Sequence, residues 1–166
     1  GRIKVYSCDS VAGKALAEKA GSVERRCWLL KQFGEYIARE VAPAMMARGQ
    51  GWIVNVGSVA GMVGQVNGAI YSTAKAAVHE YSRCLAAMLR PHNVYVNVVA
   101  PGLIVTPRFL ASRETDDGLK VKDGTLDRYG WPIEVAKAVE FLVTESSSFV
   151  TGQVLRIDGG LQLWPG

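Results

Sequence analysis

A tyrosine and a lysine that would lie one helical turn apart, Tyr71 and Lys75, follow closely after a serine, Ser58. In a helix, residues at this spacing share one face. A free tyrosine phenol has a pKa of about 10. A neighbouring ammonium favours the phenolate, which brings proton exchange nearer to neutral pH. A serine hydroxyl can hydrogen-bond an oxygen on which charge develops. These three residue types could therefore act together on one carbonyl or alcohol oxygen.

The elements around these residues would bring them to one place. An apolar run at 52–57 predicts a buried strand that ends just before Ser58, and a helix is predicted from about 70 to 90, ending before Pro91. Open α/β sheets bind their ligands at the carboxyl ends of the strands. Taken alone, the tyrosine–lysine pair is explained better as a half-buried helix tyrosine followed by a solvated lysine. The choice between a catalytic pair and this structural explanation therefore depends on the surrounding sequence.

Predicted strands and helices alternate along the rest of the chain. This alternation predicts parallel βαβ units and an α/β fold, a Rossmann-like doubly wound parallel sheet that is incomplete at its N-terminal half. We expect a single domain over 1–166, with a polar, irregular segment at 107–128. The other predicted elements are strands at 2–8, 94–99 and 153–157 and helices at 11–20, 23–47 and 132–144.

Several longer motifs follow one another in a fixed order. Together they resemble the short-chain dehydrogenase/reductase family, and the similarity runs from about Val41 to Leu161. The resemblance implies an oxidoreductase that uses NAD or NADP and transfers a hydride between the cofactor and a secondary alcohol or ketone. The motifs are Trp-Ile-Val-Asn-Val-Gly-Ser at 52–58, Tyr-x3-Lys at 71–75, Asn-Val-Val-Ala-Pro-Gly-Leu-Ile-Val-Thr-Pro at 97–107, Arg-Tyr-Gly-Trp-Pro at 128–132, and Thr-Gly-Gln at 151–153 with Asp-Gly-Gly at 158–160.

The resemblance also implies roles for single residues. It makes Ser58, Tyr71 and Lys75 catalytic, and it puts Ser58, Gln65 and Tyr71 against the substrate. The segment 107–128 resembles a loop that covers the substrate in the family, although an ordinary surface connection is the alternative. The residues that the resemblance assigns to the cofactor are Tyr71, Lys75, Pro101, Gly102, Ile104, Thr106 and Asp9.

Two of the cofactor assignments have alternatives from local structure. Thr106 could equally cap a helix that begins at Pro107. Asp9 is explained better as the cap of the predicted helix at 11–20. Both assignments therefore rest on the resemblance.

The front of the chain does not fit a complete enzyme of this family. No glycine-rich turn that could hold a pyrophosphate occurs before residue 51. The family's catalytic asparagine would fall near Leu30 or Lys31. The chain has 166 residues, whereas a complete α/β domain of this kind needs roughly 250. Either segments before residue 1 and near 21–23 are missing, or the chain is a truncated, inactive relative that serves as a binding or structural subunit.

Composition limits the partners and the compartment. The net charge is +4, but the basic residues are scattered, which argues against a nucleic-acid partner. Three widely spaced cysteines favour a reducing cytoplasm over disulfides or zinc, and no apolar run is long enough for a membrane span. His79 and His92 stand apart from other ligand types, so we expect no metal. The resemblance implies that the helices at 23–47 and 70–90 form the dimer face of a homodimer or homotetramer.

Overall fold

The computed structural model describes residues 38–63, 68–112, 126 and 128–160. The first described element is a helix, α1, over residues 38–48, which coincides with the end of the helix predicted at 23–47. The strand predicted at 2–8, the helix predicted at 11–20, and the site candidates Asp9 and Gln65 lie outside the described residues.

Three parallel strands form the sheet of the described residues. They are β1 (Gly51–Val56), β2 (Val94–Pro101) and β3 (Val154–Ile157), hydrogen-bonded in the order β1-β2-β3. The register pairs Val56 with Val99 and Pro101 with Ile157, so all three strands end at the same edge. The strands predicted at 52–57, 94–99 and 153–157 are therefore confirmed to within two residues. Strand β2 is paired on both sides and covered on both faces, which explains its unbroken apolar sequence.

The helices α2 (Ala69–Leu89), α3 (Pro107–Ser112) and α4 (Pro132–Leu142) follow, with short 3-10 turns at Val59–Gly61, Arg90–His92 and Glu145–Ser147. Helix α2 ends where Pro91 predicts. The expectation of irregular chain throughout 107–128 is wrong at its start, because the Thr106 hydroxyl accepts the Phe109 N–H at 3.1 Å and Pro107 favours the first helical position. Within the described part of the chain, no helix combines the length and apolarity needed to cross a membrane.

Helices cover both faces of this sheet. Strand residues alternate between the faces, so Ile53 and Val96 pack with α1 and α2, whereas Val54 and Val99 pack with α4. This two-sided packing agrees with a doubly wound sheet. The buried residues of the first core are Ala38, Ala42, Leu85, Ala86, Leu89, Val94 and Val96, and those of the second are Val54, Val99 and Leu142.

Candidate active site

Ser58 lies just beyond the carboxyl end of β1. The Gly57 N–H continues the strand pairing by donating to Val99 O at 2.8 Å, and Ser58 then caps the 3-10 turn that follows. Its Oγ accepts the Ala60 N–H at 3.2 Å. Because this oxygen already accepts, the hydroxyl hydrogen can donate to another oxygen. The cap thus orients Ser58 as a hydrogen-bond donor at the sheet edge.

Tyr71 and Lys75 share one face of α2, as their spacing predicts. Tyr71 is 46% exposed in the first turn, whereas Lys75 is only 6% exposed one turn later. The ammonium lies 5.7 Å from the centre of the Tyr71 ring, and it donates to Val56 O at 3.0 Å. The alternative of a solvated lysine is therefore wrong. The buried cation ties α2 to the end of β1, directly before the loop that carries Ser58.

Gly61 allows that loop to lie directly on α2. A Cβ at this position would come within 2.7 Å of Ala76 N and of the carbonyl carbon of Lys75. Contacts this short with backbone atoms cannot be relieved by turning a side chain. The absence of a side chain at Gly61 is thus what brings the Ser58 loop and the lysine-bearing turn of α2 together.

His79, for which the sequence indicates no partner, lies against the loop that carries Ser58. Its side chain is 3% exposed, and its Nε2 accepts the Ser58 N–H at 3.3 Å. Burial lowers the pKa of His79 below its usual 6.5, and the positive charges of Arg83 and Lys75 lower that pKa further. The available signal was spacing, since Tyr71, Lys75 and His79 recur at every fourth residue on one helix face.

The segment after β2 forms the other side of the sheet edge. Gly102 N–H donates to Ile157 O at 2.9 Å, and Ile104 forms a bridge with Gly130. Thr106 caps α3, so the capping alternative is confirmed, while its contact with a cofactor stays a prediction. The predicted residues from Pro101 to Thr106 are thus held in one fixed path beside the end of β3.

Charged side chains support this second side. The Arg128 guanidinium contacts both Glu134 carboxylate oxygens, at 2.7 and 3.0 Å, and the same carboxylate accepts the Trp131 N–H at 2.6 Å. These partners lower the pKa of Glu134 to about 2, with the Arg128 hydrogen bond as the largest cause. Arg156 pairs with Asp158 at 2.6 Å. A cleft of about 260 Å³ lies between the two pairs.

The two strand asparagines differ from each other. Asn97 bonds backbone, since it donates to Val150 O at 2.9 Å and accepts the Gln153 N–H at 3.0 Å. Asn55 instead donates to the Ser82 hydroxyl at 2.9 Å. Its strand face is covered by α2, so the nearest acceptor is a helix side chain. In the described ranges, no group of three or more His, Cys, Asp or Glu residues could hold a metal ion.

Comparison with known proteins gives the family. Residues 35–162 match the family model described as enoyl-(acyl carrier protein) reductase. The chain is 38% identical over 151 residues to a galactitol 2-dehydrogenase (L-tagatose-forming) of Cereibacter sphaeroides, which covers 87% of this chain and 56% of that protein. It is 40% identical over 125 residues to a 3-oxoacyl-(acyl-carrier-protein) reductase of Thermotoga maritima, which covers 75% of this chain and 51% of that protein.

The solved structures agree. A 7α-hydroxysteroid dehydrogenase, in a complex with NADH and 7-oxo glycochenodeoxycholic acid, superposes with a TM-score of 0.74 at 31% identity, covering 82% of this chain and 55% of that one. The chain therefore belongs to the short-chain dehydrogenase/reductase family, and its fold is part of that family's Rossmann fold. It spans about half the length of the curated relatives it matches.

Proposed function

We propose that the protein is an oxidoreductase that uses NAD or NADP to interconvert a secondary alcohol and a ketone. The observation that carries this proposal is the buried Lys75 ammonium, which lies beneath the exposed Tyr71 ring and is fixed to the end of β1 beside Ser58. A cation held next to a phenol, with a hydroxyl donor nearby, suits proton transfer to a substrate oxygen.

The residues present fit a nicotinamide cofactor. Val56, which binds Lys75, pairs with Val99, so the segment that begins at Pro101 follows at the same sheet edge. Ligands of open α/β sheets bind at this edge. We infer that Lys75 and Tyr71 would contact the ribose, and that Pro101, Gly102, Ile104 and Thr106 would lie along the nicotinamide ring.

When bound, the nicotinamide supplies or accepts the hydride. In the reducing direction the Tyr71 hydroxyl donates its proton to the substrate oxygen as that oxygen gains negative charge. The Lys75 ammonium stabilises the phenolate that remains. The Ser58 hydroxyl donates a hydrogen bond to the same substrate oxygen, which holds the carbonyl in place and stabilises its developing charge. In the oxidising direction, the same groups act in reverse.

The substrate is proposed only at the level that the relatives share. Their names cover a galactitol dehydrogenase, a 3-oxoacyl reductase and a hydroxysteroid dehydrogenase. A secondary alcohol or ketone is common to these, which supports a small molecule of that class. Gln65 as a substrate contact, Asp9 near the cofactor, and a cover formed by 107–128 stay proposals.

We also propose that the protein works in the cytoplasm as a homodimer or homotetramer. The scattered cysteines support a reducing compartment. The family resemblance, which puts the helix at 70–90 in such an interface, supports the assembly. Light scattering during gel filtration tests the assembly, and a monomer at micromolar concentration would contradict it.

The proposed function is tested by Tyr71→Phe with Tyr95→Phe as the matched control. Tyr95 stacks on Trp52 at the opposite end of β1 and β2, with ring centres 6.0 Å apart. Loss of a general acid should lower kcat by about 10²–10⁴-fold, with nicotinamide binding retained, whereas Tyr95→Phe should keep native turnover. If the native chain binds neither NAD(H) nor NADP(H) and Tyr71→Phe changes nothing, the inactive relative is the correct description.

A further inference from the structure

An imidazole of α2, that of His79, binds the loop that carries Ser58. The Ser58 N–H donates to His79 Nε2 at 3.3 Å. A Cβ on Gly61 would lie 2.8 Å from His79 Cε1, and a Cβ on Gly57 would collide with His79 Nε2. The ring therefore sits in a slot between two glycines of this loop, where no other residue type would leave room for it.

The hydrogen bond fixes the protonation of the ring. A nitrogen that accepts an N–H must carry its lone pair, so His79 is neutral with its proton on Nδ1. A proton on Nε2 would set two donors against each other and would add a cation next to Lys75. The direction of the His79 pKa, lowered by burial and by Arg83 and Lys75, agrees with this neutral form.

Among the residues that the structure describes, no negative charge offsets a protonated His79 ring. The charged groups acting on it come from its own helix, namely Arg83, which is paired with Glu80, and Lys75. The Gly57–Gly61 loop lies against the ring, and Val98 of β2 presents an apolar side chain beside Gly57. The positive charges on α2 therefore oppose protonation of His79, and the loop and β2 offer no charge that would favour it.

We propose that His79 is a positioning residue, which holds the Ser58 loop against α2 while its imidazole is neutral and releases that loop when protonated. The consequence for catalysis rests on the proposed function of Ser58. Since Oγ is oriented by the cap on Ala60 N, moving the Ser58 backbone moves the hydroxyl away from the substrate oxygen. A displacement of this kind lowers kcat more than it weakens nicotinamide binding.

Three variants separate positioning from folding. His79→Gln keeps an acceptor close to the place of Nε2 but does not titrate. His79→Leu removes the acceptor and leaves the Ser58 N–H unpaired. His92→Gln is the matched control, because His92 is exposed in the 3-10 turn after α2 and is the other of the two histidines in the chain.

The first readout needs no turnover. Amide and imidazole resonances of the purified protein are followed by NMR as the pH is lowered from 8 to 5. We expect the Ser58 amide to shift together with His79 in the native protein and in His92→Gln, and to lose that response in His79→Gln. If the Ser58 amide resonance does not shift while His79 titrates, the proposal is overturned.

The second readout is the pH profile of kcat with a reduced nicotinamide and a ketone substrate. We expect the native kcat to fall in acid at a pH below 6.5, because the pKa of His79 is lowered from that value. His79→Gln should keep most of the turnover without that fall. His79→Leu should lose about 10- to 100-fold in kcat with little change in KM for the nicotinamide. An acidic fall that survives unchanged in His79→Gln would overturn the proposal. A protein that turns over no carbonyl contradicts the proposed function. The pH response of the Ser58 amide still tests whether His79 holds the Ser58 loop.

Discussion

The two sides of the sheet edge are held together by different physics. The serine region comprises Gly57–Gly61 with Lys75 and His79. It depends on close packing at two glycines, on the hydrogen bond that the buried Lys75 ammonium donates, and on the one that the neutral His79 ring accepts. The proline region, which comprises Pro101–Thr106 with Arg128–Glu134, depends on backbone hydrogen bonds and on a charged pair. Close packing therefore distinguishes the serine region, and a charged pair distinguishes the proline region.

This difference predicts different responses to acid. The folded-state pKa of His79 is lowered, so the unfolded chain takes up a proton first, and stability falls as the pH drops below 6.5. The folded-state pKa of Glu134 is also lowered, from 4.5 to about 2. For a carboxylate this means added stability above pH 4.5 that is lost as the pH falls through about 2. Mild acid should therefore loosen the serine region first.

Among the variants that compare the two regions, the largest effect is expected from Lys75→Met, which keeps much of the side-chain volume but removes the charge and the bond to Val56 O. Loss of a group that stabilises transition-state charge typically lowers kcat by about 10²–10³-fold. Steady-state kinetics would measure this, with Lys137→Met as the control because Lys137 is exposed on α4. Equal kcat values for the two variants would show that Lys75 takes no part in the reaction.

Two glycine substitutions compare the regions directly. Gly61→Ala would press a Cβ to within 2.7 Å of the α2 backbone, whereas Gly130→Ala would meet the flexible end of Ile104 at 2.7 Å. Overpacking against a fixed neighbour costs about 1–3 kcal/mol, so Gly61→Ala should lower the free energy of unfolding by that amount and Gly130→Ala by less. Urea denaturation gives both values. A larger loss for Gly130→Ala would reverse the comparison.

A pH series of unfolding sharpens the comparison for His79. A single titrating group changes the free energy of unfolding by at most about 1.4 kcal/mol per pH unit. Between pH 7 and pH 5 the native protein should lose stability more steeply than His79→Gln, with the difference inside that limit. Parallel curves for the two proteins would show that His79 takes up its proton equally easily in the folded and unfolded chains.

The smallest effect is expected from Glu134→Gln, which weakens the pair with Arg128 and the cap on Trp131 N. Both partners are partly solvated, with side chains 18% and 36% exposed, so water screens the pair. The free energy of unfolding should fall by about 1 kcal/mol at neutral pH. The difference should shrink as the pH falls through about 2. Glu140→Gln, on the exposed face of α4, is the control and should match the native protein.

Local patterns predicted much of this edge. The apolar runs before Ser58 and Pro101 located two strands, and the four-residue spacing placed Tyr71 and Lys75 on one face. The role of His79 was not predictable in the same way, because its partner Ser58 is brought near only by the tertiary approach at Gly61. The Asn55–Ser82 bond was missed for the same reason, since it joins a strand to a helix.

Helix α3 was missed for a local reason. The polar character of 107–128 favours irregular chain, whereas Thr106 followed by Pro107 favours a helix start, and at 107–112 the local cap decides the structure.

The most direct test of the account is deuterium transfer from reduced nicotinamide labelled at C4. The purified protein is incubated with each face-labelled form of NADH and NADPH and a panel of ketones, and the alcohols are analysed by mass spectrometry. We predict that deuterium appears on the carbinol carbon from one face only, and that Tyr71→Phe abolishes this product while it still binds the nicotinamide. If no ketone takes up deuterium from either cofactor, or if Tyr71→Phe transfers it as fast as the native protein, the proposed hydride-transfer site is contradicted.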